Sequence, residues 1–135
     1  YWELRKQDDK LFLQAKATEK NSLEDAVALY KEGLIRVMEY LGVLMSYYDS
    51  EVSKATGMAK KVYQDYYLST YIGEHDLRSL DRLTLCLKKL GRLEEAKEEA
   101  EIFFKELPCS ESRTTAIRIK KRISNRQAID KKPVT

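Results

Sequence analysis

Apolar side chains recur along this chain in steps of three and four, the spacing of a helix face rather than the alternation of a strand. Trp2, Leu4, Leu11, Phe12, Leu13 and Ala15 predict a first helix ending near Glu19. Asn21-Ser22 offers a cap to the next helix, with Asp25 three residues after Ser22 and Glu24 and Asp25 suited to its positive end. Leu23, Ala26, Val27, Tyr30, Leu34, Val37, Met38 and Leu41 predict that second helix, running to about Tyr47 with Gly33 and Gly42 inside it. The stretch "YYDSEVSKA" reads as a break, with Asp49 or Ser50 capping a third helix through Val52, Ala55, Ala59, Val62, Tyr63, Tyr66, Tyr67 and Ile72. Gly73 is expected to stop it by taking a positive φ.

Leu77, Leu80, Leu83, Thr84, Leu87 and Leu90 predict a fourth helix, and Leu93, Ala96, Ala100, Phe103, Phe104 and Leu107 a fifth that Pro108 ends. Gly91 lies between them and predicts a bend there. Ser110 or Ser112 starts a sixth helix through Ala116, Ile117, Ile119 and Ile123, and the tail from about Asp130 is polar and expected to be disordered. The β-branched "RTTAIRIKKRI" is the nearest approach to a strand, but its Ala116-Ile119-Ile123 spacing is helical. The expected fold is all-α: about six antiparallel helices stacked as three hairpins, in one domain over residues 1–127. The hairpins fall at about 2–45 and 50–90, the latter overlapping into 77–108, with a last helix at 110–127 and a polar tail at 128–135.

Composition narrows the function more than it identifies it. With 135 residues, 43% of them hydrophobic, the chain can build one core, and only 5 Gly and 2 Pro leave too few turns for a sandwich or barrel. The net charge of +3 is too small to imply nucleic-acid binding. Cys86, Cys109 and the single His75 are scattered, whereas a zinc site needs about four ligands. Lone thiols suit a reducing compartment, so the expected location is intracellular, cytoplasmic or nuclear. No apolar run approaches the roughly 20 residues that span a membrane, no signal peptide is expected, and a chain starting without Met and ending "KKPVT" is expected to be part of a longer protein. There is no P-loop, HExxH or Ser/His/Asp set. No enzyme activity, cofactor or metal is expected.

Leu80, Leu83, Leu87, Gly91, Leu93, Ala96, Ala100, Phe103 and Pro108 resemble one tetratricopeptide repeat, and Ala96 to Pro108 has that family's spacing. The departures are Thr84 at the usual small position, Leu87 at the usual aromatic, and Ala100 and Phe103 exchanged in size. "LFLQAKATEKNSLEDAVALYKEGL" is a second match, with Ala26 and Tyr30 at the helix-B positions and Asn21 in place of the turn glycine. The resemblance implies a right-handed α-solenoid whose concave face receives a peptide or helix of another protein, hence a scaffold or adaptor. "AKATEKNSLEDAVALYKEGLIRVMEYL" also resembles the first two helices of the microtubule-interacting-and-transport domain, which binds tail helices of membrane-remodelling proteins. That module would use only about the first 75 residues.

Arg78 and Arg82 lie four apart on the fourth helix, with Lys89 two turns on, and two guanidinium groups on one face suit a carboxylate. Some tetratricopeptide proteins hold the carboxylate of chaperone tails with basic residues at these two positions, but the first-repeat Lys and Asn of that clamp are Leu11 and Ala15 here. The bland alternative is a solvated face paired to Asp81 or Glu74. Tyr63, Tyr67 and Tyr71 share a face with Tyr66 on its flank: Tyr63 and Tyr67 suit core packing, whereas Tyr66 and Tyr71 fit a core or a peptide-binding role equally. Arg118, Lys121 and Arg122 form a basic patch on the last helix, for phosphate or for a solvent-facing cap; nucleic acid is thus a less favoured partner than protein. His75 falls in an inter-helix turn without a nucleophile, Cys86 on the core side, and Cys109 in a more exposed place beside a helix start.

Overall fold

The computed structural model describes residues 1–52 and 72–124. Five α-helices lie among these residues: α1 (Trp2–Thr18), α2 (Leu23–Val52), α3 (Arg78–Lys89), α4 (Leu93–Glu106) and α5 (Thr114–Ser124). A 3₁₀ turn, Glu74–Leu77, leads into α3 and another, Pro108–Ser112, precedes α5. The described residues contain no strand, so the class is all-α. The expected third helix and the polar tail lie outside the described residues.

Local chemistry sets most of the boundaries. The α1–α2 turn is closed by Ser22, whose Oγ accepts the Asp25 N–H at 3.1 Å, with Glu24 and Asp25 in the first turn of α2. At the α3–α4 turn Gly91 has φ +76°. There the Arg92 N–H donates to the Leu87 carbonyl at 2.8 Å and the Gly91 N–H to that of Lys88 at 3.0 Å. These two bonds are a Schellman cap, which needs a left-handed residue after the helix and so favours glycine. Residues 80–105 are therefore two rods and not one.

Three expected boundaries differ. The chain does not break at Asp49 or Ser50: α2 continues through both to Val52. No Gly or Pro lies between Val43 and Val52 to interrupt the backbone ladder, and capping-type residues alone do not end a helix. Gly73 has φ −111° and ψ −178°, an extended conformation that any residue adopts. The turn into Glu74–Leu77 is fixed by the Gly73 N–H donating to Asp76 Oδ2 at 3.0 Å, and Ile72 before it is buried and non-helical. Finally, Ser110 turns its hydroxyl back to the Leu107 carbonyl (2.7 Å) within a 3₁₀ turn, so α5 starts only at Thr114. Its cap comes from a distant side chain: Glu74 accepts the N–H groups of Thr114 (2.7 Å) and Thr115 (2.8 Å).

α3 is the centre of the fold and packs on α2, α4 and α5. Its Leu80, Leu83, Cys86 and Leu87 are wholly buried. Burying each leucine contributes about 1.5–3 kcal/mol. Tyr30, Val37 and Leu41 of α2, Ala96, Ala100 and Phe103 of α4, and Ala116 and Ile119 of α5 complete the core. α2 and α3 approach closely at Gly33, where a Cβ would lie 3.1 Å from Ser79 Oγ. On α1 the inward stripe is Leu4, Asp8, Phe12 and Ala15, while Trp2 and Leu13 turn outward at 70% and 68% exposure.

Candidate functional site

The basic residues singled out in the sequence are held by acids of the same chain. Arg78 Nη2 donates to Asp8 Oδ2 at 3.1 Å and to Asp9 Oδ1, and its guanidinium stacks on Phe12, 4.4 Å from the ring centre. Arg82 grips Glu19 with two nitrogens, Nε at 3.0 Å and Nη2, and Glu19 also accepts the Tyr30 hydroxyl. Burial would raise the Glu19 carboxyl, but bonds from Arg82 and Tyr30 outweigh it and hold it below the usual carboxylate range. Tyr30 is pushed up by burial and by Glu19. Exposed Lys89 adds its charge to the Glu19 side of α3. The carboxylates that a bound peptide terminus would offer are thus already provided by α1 and the turn after it. The partners are not the Asp81 and Glu74 weighed from the sequence, because those two acids face α5.

Asp81 accepts from Arg118 Nη2 (2.8 Å) and Arg122 Nη1 (2.8 Å). Arg122 Nη1 also reaches Thr84 Oγ1 at 3.0 Å, and that hydroxyl donates to the Leu80 carbonyl at 2.9 Å. The hydroxyl at the position where the repeat family has a small side chain therefore ties α3 to α5. Burial acts to raise Asp81, but the two arginines hold it below its ordinary value. Of the expected basic patch, Arg118 and Arg122 are neutralised within the chain; Lys121 is exposed without an ion pair among the described residues. Lys120 pairs with Glu111 at 2.9 Å.

Asp8, Asp9 and His75 bring one ligand atom each within 4.8 Å of one another. Arg78 already supplies the cation between the two carboxylates, and Asp8 Oδ1 faces Gly33 on the inner side. His75 Nε2 lies 3.3 Å from Asp9 Oδ1 in the 3₁₀ turn, with no nucleophile in the group. Cys86 is buried, and burial raises its thiol to about 11. Tyr66 and Tyr71, like Tyr63 and Tyr67, lie outside the described residues.

The sequence reading did not mark two features. One is Asp8, a carboxylate on the inward stripe of α1; its signal is the four-residue step from Leu4 to Asp8 to Phe12. Burial raises its carboxyl, and Arg78 opposes the rise. The other is an open groove of about 480 Å³ between α2 and α4, lined by Lys31, Leu34, Ile35, Met38, Glu39, Glu99, Ile102 and Phe103. Ile35 and Ile102 stand in it 54% and 55% exposed. Glu99 lies among these apolar groups, and burial raises its carboxyl. Its signal was the outward pair Glu99-Ile102 on a helix whose buried side carries Ala96 and Ala100.

No family model, curated protein or solved structure matches this chain. No helix among the described residues is long and apolar enough to cross a membrane.

Proposed function

We propose that the chain is a protein-interaction module, a scaffold or adaptor domain without catalysis of its own, and that it docks a helix of another protein. The observation that carries this reading is the α2–α4 groove, where two large aliphatic side chains are left half in water beside Leu34, Met38 and Phe103. Contiguous exposed apolar surface rimmed by charge marks interaction sites on soluble domains. The docking surface proposed from the resemblance, Arg78, Arg82 and Lys89, is less favoured because the two arginines are spent on Asp8, Asp9 and Glu19.

The alternative of a microtubule-interacting-and-transport-like module leaves α3–α5 without a role, although α3 packs directly on α2. The nucleic-acid alternative loses two of its three cations to Asp81. The test is selection of helix-length peptides from a displayed random library on the whole chain. Ile35→Asp and Ile102→Asp, both at exposed positions, should abolish binding of the selected peptides with the circular dichroism unchanged. Failure to select any peptide, or binding indifferent to both substitutions, would refute the docking groove.

A further inference from the structure

We propose that the helix taken by the α2–α4 groove carries a lysine or arginine that pairs with Glu99; this rests on the reading of the groove as a docking surface. The walls are two helices whose backbone groups are satisfied internally, so side chains must make the contact and an added strand has no edge to join. Recognition then follows the helix-in-groove mode, with apolar anchors at i, i+3 or i+4, and i+7. Leu34, Ile35 and Met38 on one wall and Ile102 and Phe103 on the other receive them.

The charge of the helix follows from Glu99. It is partly buried among apolar side chains, and no hydrogen bond or ion pair reaches it among the described residues. Lys31, the lining cation, is bonded to Glu95 at 2.6 Å, and Glu95 also receives Arg92 at 2.8 Å. Glu39 on the α2 wall takes Arg36 at 2.8 Å. Of the charged groups lining the groove, Lys31, Glu39 and Glu99, only Glu99 has no salt-bridge partner among the described residues. A neutral or acidic helix would strip the remaining water from Glu99 and leave it unpaired, a penalised state for a carboxylate. A cation on the helix would instead form a charge-assisted hydrogen bond there.

The experiment uses the peptides selected on the whole chain. Their affinities are measured against wild type, Glu99→Gln and Ile102→Asp, and sedimentation of the wild type alone is run across concentration. The expected result is an apolar i, i+3/4, i+7 pattern with Lys or Arg at one fixed register. Affinity should fall about tenfold for Glu99→Gln, and that fall should vanish when the peptide's base is replaced by norleucine. Peptides lost on Ile102→Asp but showing no basic bias and no response to Glu99→Gln overturn this inference and leave the docking groove standing. Peptides indifferent to Ile102→Asp, or none selected, overturn both. Self-association of the wild type that Glu99→Gln disperses identifies a second copy of the chain as the occupant, for instance through its exposed Ile117 and Lys121, and overturns the partner helix.

Discussion

Replacing Arg82 by Met tests whether the α1–α3 seam is structural or a free recognition surface. The substitution keeps the aliphatic stem and removes the charge. Glu19 has 10% of its side chain exposed and Arg82 31%. Truncating one member of a fully buried pair costs about 3–5 kcal/mol, whereas an exposed pair is worth about 0–1 kcal/mol. A nearly buried acid gripped by a partly exposed base lies between them, and the expected loss is about 2 kcal/mol. In urea, with a slope of about 2 kcal/mol per molar for a chain of this size, the midpoint falls by about 1 M. The pH dependence supplies a sign. The Glu19 carboxyl is lowered in the folded state, so its stabilisation is present above the ordinary glutamate value of about 4.3 and is lost as pH falls through the lowered one. The gap between wild type and Arg82→Met should therefore close below about pH 4. An unchanged urea midpoint at pH 7, or a gap that persists in acid, would refute the pairing as a source of stability and return Arg82 to the pool of binding residues.

Gly91→Ala should cost about 1–2 kcal/mol from the left-handed backbone alone, since nothing lies within 4 Å of the added Cβ. Gly42→Ala, equally free of neighbours but inside α2, should stabilise by about 0.5–1 kcal/mol; thermal unfolding of the pair reads the opposite signs. Glu74→Ala should cost about 1 kcal/mol and raise amide exchange at Thr114 and Thr115, because it removes the cap of α5. Hydrogen bonds from Thr115 and Thr114 hold Glu74 below the usual carboxylate range, so this protection should fade as pH drops below about 4. In a Cys109→Ser background Cys86 should resist a thiol reagent at pH 8 until the protein is unfolded, as burial raises its thiol to about 11.

The features legible in the sequence were those set by neighbours along the chain. Ser22 and Gly91 act on backbone groups within five residues, and the three- and four-residue steps put Leu80, Leu83 and Leu87 on a buried face as expected. What escaped was set by residues far apart. Glu74 caps a helix 40 positions later, which no local pattern announces, and so Ser110 and Ser112 looked like the start of α5. Asp49 and Ser50 looked like a cap because the sequence does not say whether the chain turns before them. Arg78 and Arg82 looked free because their acids, Asp8, Asp9 and Glu19, lie over sixty residues earlier. Only one wall of the groove, Glu99 and Ile102 on α4, had a local signal, since the groove forms only when α2 and α4 both pack on α3.

The central place of α3 has a consequence during synthesis. The first hairpin leaves the ribosome before the helix that covers it, so the face of α2 that packs on α3 emerges bare. Residues 53–77 must then be translated before α3 begins, a delay of a few seconds at about 5–20 residues per second. For that interval the nascent chain offers a sticky helical surface, and holdase chaperones that recognise such surfaces are the natural guardians of the first half. A strain depleted of them should accumulate this protein in inclusion bodies, and fusing the second half ahead of the first should relieve the dependence.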